Sequence, residues 1–215
     1  LILWPFGPVA LVYDLMDTNG DALPEGVAAF AATGTIDQKA LARFELYLVK
    51  KNIAWTKLDA GDRNAGSIEL VNRPVKPGEA SSYKMGVNKN HDPNVQFATL
   101  AHELAHLFLG HLGRDAYLRI PERPPLTHEQ RELEAESTAF IVCARNGVEC
   151  KSQSYLEAYV GQDTTTANLD LYQIMRAAGQ VETILKLAAH TKVDHPKKAQ
   201  VGTVSLFDES EPGDG

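Results

Sequence analysis

Three histidines and a glutamate lie close together in an otherwise apolar stretch, "TLAHELAHLFLGH", which runs from Thr99 to His111. His102 and His106 are four residues apart, so on an α-helix both imidazoles project from the same side, one turn apart. Two imidazoles in that arrangement can bind one zinc ion, and Glu103 can reach a water molecule held by the metal. This H-E-x-x-H pattern predicts a zinc hydrolase in which Glu103 is the catalytic base.

A catalytic zinc site needs a third protein ligand, and a second predicted helix, "HEQRELEAESTAFIVCARNG", offers candidates. Glu132 and Glu136 are four residues apart there and share a face with small and apolar residues. We expect one of them to bind the zinc and the other to orient a histidine. Glu134 points nearly the other way, and we interpret it, like Glu129, as part of a solvated helix surface.

His111 is the other candidate for the third ligand. It follows His102 by nine residues, and a continued helix would turn by about 900° over that distance and place it on the opposite side. It also misses the H-E-x-x-H-x-x-G-x-x-H spacing by one residue. We therefore predict that His111 is a helix-end residue and not a ligand.

The surrounding segments predict an α+β fold, in which a small antiparallel or mixed sheet packs on a helical bundle that carries the H-E-x-x-H helix. That helix begins at Asp92 or Asn94 and ends near Gly110. Thr127 and Gln130 form a potential capping box at the start of the second helix. One helix precedes the sheet and two follow the glutamates, and the predicted strands are "IAWTKLD", "GSIELVN" and "SYKMGVN".

The composition argues against several classes of protein. The chain has 215 residues, a net charge of −7 and two cysteines. The acidic balance is atypical of a nucleic-acid-binding domain, and no apolar run approaches the roughly 20 residues that span a bilayer. Two cysteines are too few for a secreted disulfide framework, so we expect reduced thiols and a cytoplasmic location.

The two motif-bearing helices resemble a known family. "FATLAHELAHLFLGH", followed after a loop by "ELEAESTAF", is similar to the ImmA/IrrE-type metallopeptidases. The order of elements fits that domain from about Asp37 to Ala189, although only these two helices carry specific motifs. The family pattern continues with E-x-x-A-N/D, which assigns the third ligand to Glu132. Glu136 stands where the family has Asn or Asp, as in ArdC-like antirestriction metallopeptidases, so the choice between the two glutamates stays open.

The resemblance implies a gluzincin-type zinc endopeptidase with one Zn²⁺ per chain. Such proteins typically cut a DNA-binding repressor, here expected to be a helix-turn-helix protein, in a stress or phage response. The alternatives are a non-catalytic metal-binding regulator and an ArdC-like protein that binds single-stranded DNA. An intact Glu103 favours the enzyme, and the acidic balance disfavours DNA binding, so we expect nucleic acid only as an indirect trigger.

Two further expectations concern substrate binding and domain organisation. An edge strand of a zinc peptidase commonly aligns an extended substrate. Tyr83 lies on the strand just before the active helix, so we consider it a substrate-strand candidate; the alternative is an ordinary internal strand.

Residues 37–200 form the predicted metallopeptidase domain. Residues 1–36 are an N-terminal hairpin segment, which could end a preceding module, and residues 201–215 are an acidic disordered tail.

Overall fold

The computed structural model of the protein describes residues 31–61, 64–74, 79–150 and 169–188. The predicted N-terminal hairpin, the helix predicted around "SQSYLEAYV" and the acidic tail lie outside these residues. The described elements confirm the predicted α+β class. In chain order they are β1 (Ala32–Thr33), α1 (Gln38–Val49), β2 (Ile53–Leu58), β3 (Gly66–Asn72), β4 (Ser82–Asn88), α2 (Pro93–Phe108), α3 (His128–Arg145), β5 (Glu149–Cys150) and α4 (Leu171–Ile184).

The main sheet is mixed and has the strand order β2-β4-β3. Strand β4 runs parallel to β2 and antiparallel to β3, and short β1 and β5 form a separate antiparallel pair. Because β4 has a hydrogen-bonded neighbour on each side, its backbone groups are occupied by the sheet itself. The expectation that the Tyr83 strand is a substrate-aligning edge is therefore wrong.

The side chain of Tyr83 is buried in the core and does not line a cleft. Tyr83 is only 2% exposed, and its hydroxyl donates a 2.8 Å hydrogen bond to Oδ2 of Asp115. Burial, together with the neighbouring Asp115 carboxylate, raises the pKa of Tyr83 to about 12. Tyr83 thus fixes the loop after α2 to the central strand.

Helix α2 is buried around most of its circumference between the sheet and the other helices, with eleven buried residues from Val95 to Phe108. Its N-cap is Asp92, followed by Pro93 at the first helical position, where a missing N–H costs nothing. Asn94, the other predicted cap, binds the segment after β1 instead, because its Oδ1 accepts from the Ile36 amide at 3.0 Å. Among the described residues, no helix is both long and apolar enough to cross a membrane.

The predicted capping box starts α3. The Gln130 amide donates to Oγ1 of Thr127 at 3.2 Å, and the Thr127 amide donates to Oε1 of Gln130 at 3.0 Å. Two backbone donors of the first turn are thereby satisfied. This fixes the first turn of α3 and hence the direction in which Glu132 leaves the helix.

The end of α2 depends on a glycine. Gly110 adopts φ +84°, a left-handed conformation that side chains rarely tolerate. A Cβ atom at Gly110 would also lie 2.7 Å from the carbonyl oxygen of Pro121. The helix therefore stops at Phe108, and the chain turns back so that His111 lies beside the helix.

Replacing Gly110 by alanine is expected to destabilise the fold more than the same change at Gly147. Both glycines have positive φ, but a Cβ at Gly147 meets nothing within 4 Å. Gly147→Ala should cost only the backbone term of about 1–2 kcal/mol, whereas Gly110→Ala adds a steric clash of about 1–3 kcal/mol. Urea unfolding of the two variants tests this, and equal midpoints would show that Pro121 does not restrict the turn.

Candidate metal centre

His102 and His106 lie on one face of α2, as their spacing predicts. Their Nε2 atoms are 3.1 Å apart, and the two rings meet edge to face with centroids 4.8 Å apart. The outer Nδ1 atom of each ring is engaged elsewhere, with Glu136 for His102 and with His111 for His106. If both Nδ1 atoms carry the proton, two nitrogen lone pairs face each other, an arrangement that a cation between them would stabilise.

Glu132 approaches the same point from α3. One carboxylate oxygen lies 3.4 Å from Nε2 of His102, and the other lies 3.5 Å from Nε2 of His106. Tetrahedral zinc with bonds of about 2.0–2.1 Å separates its ligand atoms by about 3.3 Å. The three atoms, all within 4.8 Å of one another, therefore have the right chemistry and spacing to hold a metal ion.

Glu136 occupies a different position. Its Oε2 lies 3.0 Å from Nδ1 of His102, on the side of the ring away from the converging Nε2 atoms. A carboxylate there fixes the ring orientation and holds the proton on Nδ1, so that Nε2 is free to bind a metal. The geometry thus favours Glu132 as the ligand and Glu136 as the residue that orients His102.

Glu103 lies next to these ligands and is 9% exposed. Burial raises its pKa to about 7, with the nearby Glu132 carboxylate acting in the same direction and His102 opposing it. A carboxyl group with a pKa near 7 can both accept and return a proton at neutral pH.

The ligand residues attract positive charge even without a metal. Burial lowers the pKa of His102, but the hydrogen bonds to Glu132 and Glu136 outweigh it and raise the pKa to about 10. Burial lowers the pKa of His106 to about 4, and the His102 charge adds to that effect. Despite partial burial, the contacts with His102 and His106 lower the pKa of Glu132. The carboxylates of Glu132 and Glu136 therefore favour a positive charge at this point, which a bound metal ion would supply.

The sequence of this region matches one family model. Residues 62–143 match the IrrE N-terminal-like domain, a peptidase family. This segment of the chain is therefore similar to the IrrE N-terminal-like domain. The match lies within the predicted domain and includes all of His102, Glu103, His106 and Glu132, which confirms the predicted resemblance to ImmA/IrrE-type metallopeptidases. Searches of curated proteins and of solved structures gave no significant match.

A second prediction, which concerns Glu134, is also wrong. Glu134, interpreted as a solvated surface residue, is 1% exposed and binds Arg123 and His111. The error arises because helix periodicity shows which residues share a face but not what covers the opposite face. Here the loop before α3 supplies Arg123 and the turn at Gly110 supplies His111. Glu129, by contrast, is exposed as expected.

The sequence patterns did not point to two residues that lie near the metal centre. His128 precedes Glu132 by four residues on α3, and its Nδ1 lies 3.7 Å from Glu132 Oε1 while its side chain is 65% exposed. The i, i+4 spacing was a usable signal for His128. Arg123 lies in a loop rich in proline, and its position depends on tertiary packing that no local pattern reports.

Proposed function

We propose that the protein is a zinc-dependent endopeptidase that hydrolyses a peptide bond in a protein partner. The observation that carries this proposal is the convergence of His102, His106 and Glu132 on one point beside the buried carboxyl group of Glu103. A purely structural zinc site is typically closed by four protein ligands. Three ligands with an adjacent proton acceptor are typical of hydrolysis. The peptidase family of residues 62–143 supports the same reaction class.

In this mechanism the side chains of the protein bind the metal, orient its ligands and transfer protons. When bound, zinc supplies a Lewis acid that polarises the scissile carbonyl and lowers the pKa of water toward about 7. Glu103 accepts the proton from the attacking water. After the carbonyl carbon becomes tetrahedral, Glu103 passes that proton to the amide nitrogen, and the C–N bond breaks to release an amine. Glu136 keeps the His102 ring in its binding orientation throughout.

His128 is suited to stabilise the oxyanion of the tetrahedral intermediate. It is largely exposed at the start of α3, and Nδ1 is 3.7 Å from the ligand carboxylate, so a substrate carbonyl at the metal would lie within its reach. A donor placed there stabilises charge that develops only during the reaction. His128→Ala should therefore lower kcat about 10²–10³-fold and leave zinc affinity unchanged. A parallel loss of zinc would show that His128 supports the site instead.

An extended substrate is proposed to pair with the outer edge of β3. The Ala65 carbonyl accepts from the Asn88 amide, so by antiparallel alternation the Ile68 amide points away from β4. Within the described residues no strand lies beyond β3. The strand begins beside the catalytic helix, since a Cβ at Gly66 would lie 3.4 Å from Cγ of Glu103.

Amide hydrogen exchange tests this edge. A bound substrate peptide should slow exchange at Ile68 because a new hydrogen bond forms there. The Lys57 amide, on β2 at the opposite side of the sheet, is the matched control and should not change. Unchanged exchange at Ile68 in the presence of a bound peptide would exclude β3 as the docking edge.

The most direct test of peptidase activity uses a peptide library of defined sequences and detection of new termini by mass spectrometry. Zinc-loaded protein should cleave a subset of peptides, a chelator such as phenanthroline should abolish cleavage, and added zinc should restore it. Cleavage that survives complete metal removal would contradict the proposal.

We also propose that the substrate is a DNA-binding repressor with a helix-turn-helix domain, cut in the cytoplasm under stress or during a phage response. The support for this finer proposal is the ImmA/IrrE-type resemblance. Comparison of protein N-termini in cells that express the wild type or Glu103→Gln tests it. A new terminus inside a helix-turn-helix protein should occur only with the wild type. New termini confined to unrelated proteins would contradict this substrate.

A further inference from the structure

A chain of hydrogen bonds leads from His106 away from the metal centre. Nδ1 of His106 lies 2.9 Å from Nδ1 of His111. Nε2 of His111 lies 3.1 Å from Oε2 of Glu134. Nη2 of Arg123 then donates to both oxygens of Glu134, at 2.8 and 3.1 Å. We call His111, Glu134 and Arg123 the supporting triad.

The supporting triad is buried, although it contains two charged groups. The side chains of His111 and Glu134 are each 2% exposed, and that of Arg123 is 9% exposed. Removing an ion pair from water carries a large desolvation cost for each ion, which the attraction between them must offset. Apolar residues would fill this space at lower cost, so stability alone does not explain these residue types.

The hydrogen-bond distances fix a direction along this chain. Glu134 and the guanidinium of Arg123 satisfy each other, and the carboxylate can only accept, so Nε2 of His111 carries its proton. Nδ1 of His111 is then an acceptor, and the proton between the two histidines belongs to Nδ1 of His106. Nε2 of His106 is left with its lone pair, which points to Nε2 of His102 and Glu132.

We propose that the supporting triad positions His106 for metal binding. This inference rests on the metal site of the proposed function and extends it to the residues that orient His106. The two ligand histidines are held in different ways: Glu136 contacts His102 directly, whereas Glu134 acts on His106 through His111. His111, Glu134 and Arg123 are positioning residues, since none contacts the converging ligand atoms. The turn at Gly110 serves this arrangement by returning His111 to the side of α2.

Two substitutions of His111 separate positioning from packing. In asparagine, the amide oxygen is two bonds from Cβ, as Nδ1 is in histidine, so His111→Asn keeps an acceptor for His106. In glutamine, the amide group lies one bond further out, near the place of Nε2, so His111→Gln keeps the contact with Glu134 and loses that with His106. Both variants are polar and smaller than or similar to histidine.

The experiment measures zinc affinity by chelator competition and the visible spectrum of the Co²⁺-loaded protein, with circular dichroism as the check on folding. His111→Gln should weaken zinc binding about 10–100-fold and alter the Co²⁺ bands. His111→Asn should stay within about threefold of wild type, because the orienting hydrogen bond of the ligand histidine is retained. Wild-type affinity and spectrum in folded His111→Gln would overturn the inference.

A measurement on the wild type makes the test independent of variant folding. Nitrogen-15 NMR of the zinc-loaded protein should show His106 protonated at Nδ1 and His111 protonated at Nε2. A proton on Nδ1 of His111 would overturn the inference while the metal site stands. If the wild type binds neither zinc nor Co²⁺, the proposed function fails and this inference fails with it.

Discussion

Glu103→Gln is expected to bind zinc as the wild type does but to hydrolyse peptides about 10²–10⁴-fold more slowly. This is the range for the loss of a general acid–base group. Glutamine has nearly the shape of glutamate but cannot accept the proton of water. Glu103 is not among the three converging ligand residues, so its change leaves them in place. Cleavage rates and zinc affinity, measured on the same preparations, check both halves of this prediction.

The control for this variant is Glu129→Gln, which makes the same chemical change at an exposed position of α3. It should retain wild-type cleavage and metal binding. Full activity of Glu103→Gln on a genuine substrate would exclude Glu103 as the base. Loss of zinc from Glu103→Gln would instead show that the carboxylate supports the ligands.

Glu132→Ala is expected to lose high-affinity zinc binding and, with it, all metal-dependent hydrolysis. The variant leaves two imidazoles, and two ligands do not make a stable zinc site of the catalytic type. Glu136→Ala should weaken affinity only about 10–100-fold, because it removes the partner that orients His102 and not a ligand. Zinc titration with a competing chelator distinguishes these losses.

Glu129→Ala is the matched control on the same helix and should bind zinc normally. The assignment of the two glutamates would be reversed if Glu136→Ala abolished binding and Glu132→Ala retained it. The distances support the present assignment, since Glu132 faces both Nε2 atoms and Glu136 faces the outer nitrogen of His102.

The sequence predicted the parts of this site that depend on local geometry. His102 and His106 share a face because four residues make about one helical turn, and Thr127 and Gln130 cap α3 because their side chains reach adjacent amides. These interactions form within one element. The converging side chains follow from two correctly predicted helices, together with the resemblance that pointed to Glu132.

Predictions from the sequence were wrong or incomplete where they depended on contacts between different elements. The pairing of β4 on both sides follows from sheet order, which alternation along a single strand does not reveal. The burial of Glu134 depends on Arg123 from a loop and on His111 from the turn at Gly110. His111 follows the end of α2, as predicted, but the sequence did not show that the turn at Gly110, which has positive φ, brings His111 back beside His106.

Metal content tests the central claim most directly. Purified wild-type protein, stripped with a chelator, supplied again with zinc and freed of excess metal, should contain about one zinc per chain by elemental mass spectrometry, as a three-ligand site predicts. A folded protein that retains no zinc after this treatment would contradict the metal centre, and with it the peptidase mechanism.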